Sequence, residues 1–271
     1  MVKILALIAG VLLLGYLLAL AWMYMTQAGR VYKPRRDIGS APDAYGYAYE
    51  EVTLHSADGI TLWAWFVPNP RAHRVLLFCH GNTRNISQCM DSVELFQRLG
   101  FSVFLFDYRG YGRSAGRPDE HGTYLDVQAA WEYLLREREY APDDIVVLGR
   151  SLGGAIASWL AARHTPRALV LESTFTSLSA VAAYRHPWFP ARALIRYRYP
   201  VAEYVRALRC PLLIVHSRDD EMVPFRYAER LFALASEPKE LLMIEGMHHN
   251  GYQTTGARYE EGLASFLARH A

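Results

Sequence analysis

Ser151 lies in Gly149-Arg150-Ser151-Leu152-Gly153-Gly154, a G-x-S-x-G sequence between the apolar run Ile145–Leu148 and a helical pattern starting near Leu152. Strand, sharp turn and helix in that order push a serine hydroxyl out over the end of a sheet. Glycine is needed at 149 and 153 because a β-carbon there would meet neighbouring elements. The free N–H groups and positive potential at the start of the helix favour a developing oxyanion. A serine hydroxyl is a poor nucleophile near neutral pH, so it needs a base, and the base needs an acid to orient it. Such an elbow calls for the chain order Ser, then Asp or Glu, then His. Two downstream loops meet that order: His216-Ser217-Arg218-Asp219-Asp220-Glu221-Met222-Val223-Pro224 and Gly246-Met247-His248-His249-Asn250-Gly251.

Residue types alone leave both partners open, since Asp219 and Asp220 are adjacent and so are His248 and His249. Glu172, at the end of the run Ala168–Leu171, is a third acid, expected to hold the loop beneath the site. The oxyanion hole should combine the N–H of Leu152 with one from an earlier loop. His80-Gly81-Asn82-Thr83 fits, with Gly81 allowing close approach and Asn82 presenting the second N–H. His80 precedes Ser151 in the chain and is expected to be structural, as is Cys79 at the end of its strand. Asp107-Tyr108-Arg109-Gly110-Tyr111-Gly112-Arg113-Ser114 matches neither a P-loop nor a dinucleotide fingerprint. Its expected job is to buttress the elbow, and no reason for both Arg109 and Arg113 is evident from the sequence. Paired histidines raise the question of zinc, but no H-x-x-x-H or Cys/His spacing accompanies them, so neither metal nor cofactor is expected.

Short apolar runs recur on either side of these loops: Glu51–His55, Ile60–Val67, Val75–Cys79, Ser102–Phe106, Ile145–Leu148, Ala168–Leu171, Leu212–His216 and Leu241–Ile244. The first two flank an Asp-Gly turn at Asp58-Gly59, a hairpin signal. Helical patterns separate the others at about 85–99, 120–138, 152–164, 225–235 and 256–269. Runs of four to six apolar residues suit strands buried on both faces, and their alternation with helices predicts an α/β domain built on a mainly parallel sheet of eight strands. Both candidate loops then fall at the C-terminal ends of strands, where parallel sheets place their sites.

Five motifs in order, His80-Gly81-Asn82, Asp107 to Gly112, Gly149 to Gly154, Asp220-x-x-Val223-Pro224 and His249-Asn250, together resemble the α/β-hydrolase superfamily. They look most like its membrane-anchored serine hydrolases with an arginine in the elbow, a group that includes protein depalmitoylases and lipid esterases. The resemblance spans about residues 50–270. It implies an acid separated by two residues from Val-Pro, which selects Asp220, and a histidine directly before asparagine, which selects His249. Ser151, Asp220 and His249 are thus the expected triad, with Asn82 and Leu152 as the oxyanion hole. The doubled Asp219 and His248 depart from the pattern. The resemblance also places a cap over the nucleophile at about 174–208, a stretch too long for a simple connection and rich in aromatic and basic residues.

The remaining signal is at the N-terminus. Ile4 to Met25 runs without a charge, and a helix of that length reaches roughly 33 Å, enough to cross a hydrocarbon core. It exceeds a signal-peptide core, so the expectation is an uncleaved single-pass anchor over 1–25, a tether over 26–49 and the hydrolase domain over 50–271. Arg30, Lys33, Arg35 and Arg36 follow the span, and this leans towards a cytoplasm-facing domain. Three cysteines without framework spacing agree with a reducing compartment. The chain is 52% hydrophobic with net charge +2, which argues against disorder and against nucleic-acid binding. The expected activity is cleavage of a carboxylic ester or thioester in an acylated small molecule, lipid or protein. A peptidase or amidase using the same residues, or a non-catalytic membrane-bound protein of this fold, are the alternatives.

Overall fold

The computed structural model describes residues 1–248 and 254–270, apart from the side chain of Arg192. The apolar N-terminal run forms helix α1 (Val2–Met25), and after Thr26 the short α2 (Gln27–Val31) follows. Strand β1 (Lys33–Pro34) leads to the hairpin β2 (Glu50–His55) and β3 (Thr61–Val67), whose turn carries Gly59 at φ +80°. Strands and helices then alternate: β4 (Val75–Cys79), β5 (Thr83–Arg84), α3 (Met90–Arg98), β6 (Ser102–Phe106), α4 (Glu120–Arg136), β7 (Ile145–Arg150), α5 (Leu152–Ala161) and β8 (Ala168–Glu172). Three short helices, α6 (Leu178–Arg185), α7 (Ala191–Leu194) and α8 (Val201–Arg206), fill the connection to β9 (Leu212–Ser217). The chain closes with α9 (Arg226–Leu234), β10 (Lys239–Ile244) and α10 (Ala257–His270).

Among the described residues the main sheet has eight strands in the order β10-β9-β8-β7-β4-β6-β3-β2, parallel except where β3 pairs antiparallel with both neighbours. Every residue of β4 and β6 is buried, as expected of apolar runs covered on two sides. Successive side chains point to opposite faces, so Val75 and Leu77 join one core with α4, α5 and α8, while Leu76 and Phe78 join another with α3 and α10. The start of α4 is fixed by Asp119, whose carboxylate accepts the N–H of Gly122 at 2.9 Å.

The N-terminal segment is no loose tether. β1 pairs in parallel with β5 to make a separate two-stranded sheet, with Lys33 opposite Thr83 and Pro34 opposite Arg84. Tyr32 is buried, and its hydroxyl lies 2.8 Å from that of Tyr199, which lies 2.9 Å from Thr123 Oγ1 on α4. Met23, near the end of α1, packs against Phe189 and Ala191 in a third, small cluster. The Gln27 amide donates to the carbonyl of Leu194 at 2.8 Å and accepts the N–H of Arg196 at 2.8 Å. Apart from Met23 and the partly buried Leu20, α1 leaves its large apolar side chains exposed, and the helix is long and apolar enough to cross a membrane.

Candidate active site

β7 ends at Arg150 and α5 begins at Leu152, leaving Ser151 at φ +54°, ψ −116°. A non-glycine residue is rarely held there, and such strain persists only where the surroundings over-determine it. Those surroundings are close-packed backbone. A β-carbon on Gly149 would come within 2.4 Å of the carbonyl oxygen of Gly153, and one on Gly153 within 2.0 Å of that of Cys79. The Ser151 N–H donates to Glu172 O at 2.8 Å, and Thr174 Oγ1 donates to Ser151 O at 2.8 Å. The elbow is therefore held from β8 as well as from its own helix.

His248 Nε2 lies 3.0 Å from Ser151 Oγ, and His248 Nδ1 lies 2.7 Å from Asp220 Oδ2. Asp220 is buried at 6% exposure, whereas Asp219 is exposed. The other oxygen of Asp220 accepts the N–H groups of Met222 at 2.9 Å and Val223 at 2.7 Å, which turns Oδ2 towards the imidazole. Burial opposes ionisation of this carboxyl. His216, with Nε2 at 3.3 Å, together with His248 and the N–H of Val223, outweighs burial and holds the group well below the usual carboxylate range. Glu221 also contributes, accepting the N–H of His248 at 3.0 Å. The sequence expectation for His249, with the Asn250 beside it, lies outside the described residues; the histidine that touches Ser151 and Asp220 is His248. His216 was not foreseen, although its place at the end of β9, four residues before Asp220, was a usable signal.

Leu152 is the first residue of α5, so its N–H has no acceptor within the helix. Asn82 is committed elsewhere: its side-chain amide donates to Val31 O at 2.9 Å, and its carbonyl accepts Lys33 N–H at 3.0 Å and Tyr111 OH at 2.8 Å. That leaves its backbone N–H as the group able to meet an oxyanion. The Asp107–Ser114 loop braces this strand end and not the elbow: Tyr108 OH donates to His80 O at 2.8 Å, and Asp107 accepts Ile86 N–H at 2.9 Å. Its two arginines now have separate roles. Arg109 is buried and bridges Asp126 at 2.8 Å and Asp58 at 2.7 Å. Arg113 pairs with Glu51 at 3.0 Å over the ring of Trp63.

Glu172 accepts Arg150 Nε at 2.8 Å and Tyr259 OH at 2.9 Å, so it fastens the arginine of the elbow and does not face the imidazole. His80 is buried against Tyr108, and burial lowers its pKa to about 4. Cys79 is buried too, its thiol pushed up by that burial. Among the described residues no group of three or more His, Cys, Asp or Glu side chains is arranged to hold a metal.

Two cavities meet at Ser151, His248, Asn82 and Lys33. One, of about 530 Å³, is lined mainly by apolar residues, among them Met23 of α1, Val31 of α2, Phe175, and Leu178 and Val181 of α6. The other, of about 610 Å³, is polar and lies against β1, β5 and the loop after β4.

A model of the alpha/beta hydrolase fold family matches residues 74–198. An uncharacterized Mycobacterium tuberculosis protein, Rv2307c, is 36% identical over 255 residues, covering 92% of this chain and 90% of its own. Human alpha/beta hydrolase domain-containing protein 17B is 32% identical over 204 residues, covering 74% of this chain and 68% of its own. Among solved structures, the Pyrococcus furiosus esterase Pf2001 superposes with a TM-score of 0.74 at 20% identity, covering 89% of this chain and 98% of that one. A G-x-S-x-G elbow on an eight-stranded, mainly parallel sheet and relatives that match along most of their length lead to one assignment: the chain belongs to the α/β-hydrolase fold family.

Proposed function

We propose that the protein is a membrane-anchored serine hydrolase that cleaves carboxylic esters or thioesters through an acyl-enzyme. The observation that carries this reading is the continuous relay of Ser151 Oγ to His248 Nε2 at 3.0 Å and His248 Nδ1 to Asp220 Oδ2 at 2.7 Å. Asp220 accepts the Nδ1 proton, which fixes the tautomer that leaves Nε2 bare for the serine proton. Ser151 then attacks the carbonyl, His248 returns the proton to the leaving group, and water releases the acyl group by the reverse relay. The backbone N–H groups of Leu152 and Asn82 receive the oxyanion. The family assignment supports a hydrolase in general terms.

The anchor reading is supported by two features. Before Leu20, apolar side chains along α1 face outward with nothing among the described residues to cover them. Its lower end, through Met23, forms part of the apolar cavity beside Ser151, so cleaving it off as a leader would open that wall. The cations Arg30, Lys33, Arg35 and Arg36 just past the helix support a catalytic domain on the cytoplasmic side.

A fluorophosphonate probe tests the reading directly. The full-length protein should be labelled, and Ser151→Ala should abolish labelling while leaving the melting curve intact. Labelling that persists in Ser151→Ala, or never occurs in the folded wild type, would sink the hydrolase assignment.

A further inference from the structure

The polar cavity next to Ser151 has a chemistry that cleavage of a generic ester does not require. Its lining holds four cations, Lys33, Arg35, Arg84 and Arg150, against a single carboxylate, Asp91. Arg150 is engaged by Ser92 Oγ at 3.0 Å and by Glu172, whose carboxylate compensates its charge. The other three differ. Lys33, Arg35 and Arg84 form no ion pair with any described carboxylate, and among the described residues the guanidinium of Arg84 hydrogen-bonds only Gln88 Oε1, at 3.1 Å. His80, on the same wall, is kept neutral by burial down to about pH 4 and adds no charge to theirs.

These three cations are held in place by backbone. Parallel pairing of β1 with β5 sets Lys33 beside Thr83 and Pro34 beside Arg84, and Arg35 N–H donates to Arg84 O at 3.3 Å. The side-chain amide of Asn85 donates to Arg35 O at 3.1 Å and to Asp37 O at 2.8 Å, closing the chain over the loop. The arrangement therefore brings an excess of positive charge over the single carboxylate of Asp91, from two distant stretches of sequence, to the wall of a cavity that also borders the nucleophile. A concave site lined by one sign of charge concentrates counter-ions far better than the same charges on an open surface.

We infer that this cavity is an anion subsite for a phosphate carried on the leaving group, so that the substrate is a monoacyl glycerophosphate. This rests on the serine-hydrolase reading above. The acyl chain lies in the apolar cavity, whose volume of about 530 Å³ falls in the usual ligand range of about 300–1,000 Å³. The phosphate lies against Arg35 and Arg84, with Lys33 at the junction between it and the ester. The ester carbonyl then sits where the cavities meet, at Ser151 and His248. Ser151 Oγ bonds to the carbonyl carbon, the bond from that carbon to the glycerol oxygen breaks, and His248 passes the serine proton to the departing glycerol phosphate. Water next attacks the acyl-serine, giving the free carboxylic acid and restoring the serine hydroxyl. A coenzyme A thioester also carries phosphate, but its long pantetheine arm sets the phosphates well beyond a cavity that begins at the nucleophile. A glycerol backbone holds the phosphate only a few bonds from the ester.

The test uses full-length protein in a neutral detergent with hexanoyl glycerophosphate, monohexanoylglycerol and hexanoyl coenzyme A. At low ionic strength kcat/KM for the glycerophosphate should exceed that for the uncharged glycerol ester by about tenfold or more, and the ratio should shrink as salt is raised. Combining Arg35→Gln with Arg84→Gln should cut the ratio at least about fivefold, the range expected when a charge-focusing site loses most of its charge. The ratio is measured within each protein, so partial misfolding of the variant cannot mimic the effect, and the salt series on the wild type gives a second, mutation-free reading. Equal rates on the two glycerol esters, a ratio indifferent to salt and to the double substitution, or a clear preference for the coenzyme A thioester would each overturn the subsite. Fluorophosphonate labelling separates the two failures: loss of Ser151-dependent labelling removes the hydrolase itself, whereas labelling without phosphate preference removes only the subsite.

Discussion

His248 holds one hydrogen-bond partner on each ring nitrogen, and the carboxylate it leans on is set by two backbone N–H groups and a second imidazole. Removing the base or misorienting it should be costly. His248→Ala and Asp220→Asn are each expected to lower kcat on a soluble ester by about 10⁴-fold or more, read from initial rates. Run in parallel, His249→Ala and Asp219→Ala should show much smaller losses, and the reverse pattern would reassign the triad. A second residue-scale effect lies behind the oxyanion loop. Asp107 is fully buried, and burial raises its pKa from 3.8 to about 8, against the opposing N–H of Ile86 and the charge of Arg36. Between those limits the folded chain keeps a proton that the unfolded chain has lost, so this group's contribution falls as pH rises through about 8. His80 works in the other sense: burial depresses it from 6.5 to about 4, so its contribution is lost as pH falls through that range. From about pH 6.5 to about 8 the effect of Asp107 can therefore be read separately. Melting temperatures there should decline less steeply with pH for Asp107→Asn than for wild type, and parallel slopes would refute the shift.

At the scale of elements, Arg109 is the tie between the β2–β3 turn, through Asp58, and α4, through Asp126. Burial pushes the Asp126 carboxyl up to about 6 even with the arginine beside it. Arg109→Ala would strand that buried acid, at a cost of about 3–5 kcal/mol, and adding Asp126→Asn should recover part of the loss in a denaturant titration. The elements themselves were largely legible in the sequence. Val75–Cys79 and Ser102–Phe106 begin and end where their apolar runs do, because strands covered on both faces need apolar side chains throughout. Gly149 and Gly153 flagged the elbow because close backbone contact leaves no space for a side chain. What escaped notice lacks such a pattern. β1 and β5 are two residues each, too short for any period, and their pairing joins positions about fifty residues apart. The short helices α6 to α8 carry no sustained apolar face. His248 and His249 are one residue apart, and which of them turns to Ser151 depends on the path of a loop that residue type does not encode.

For the molecule as a whole, the N-terminal segment is part of the site and not only the proposed membrane anchor. Met23 and Val31 border the apolar cavity, and Val31 also holds the side chain of Asn82. Graded truncation separates these contributions. Removing residues 1–26 should weaken hydrolysis of long-chain esters more than short ones, since only the outer wall is lost. Removing residues 1–36 should also lower kcat on short esters, by up to about 10²-fold, as Asn82 loses its support. Equal effects of both truncations on all chain lengths would place the segment outside the site, provided circular dichroism shows both proteins folded. One contact made earlier on α1 reaches further. Tyr16 OH donates to Trp188 O at 3.1 Å, and Met23, about two turns further along, packs against Phe189 and Ala191, so α1 is fastened to the connection between β8 and β9 at two heights. A 24-residue helix reaches about 36 Å, longer than a hydrocarbon core of about 30 Å, and such a helix relieves the mismatch by tilting. On the proposed anchor reading, two points of attachment make such a tilt a lever on the wall of the apolar cavity, so the thickness of the host bilayer would be transmitted mechanically to the width of the enzyme's mouth.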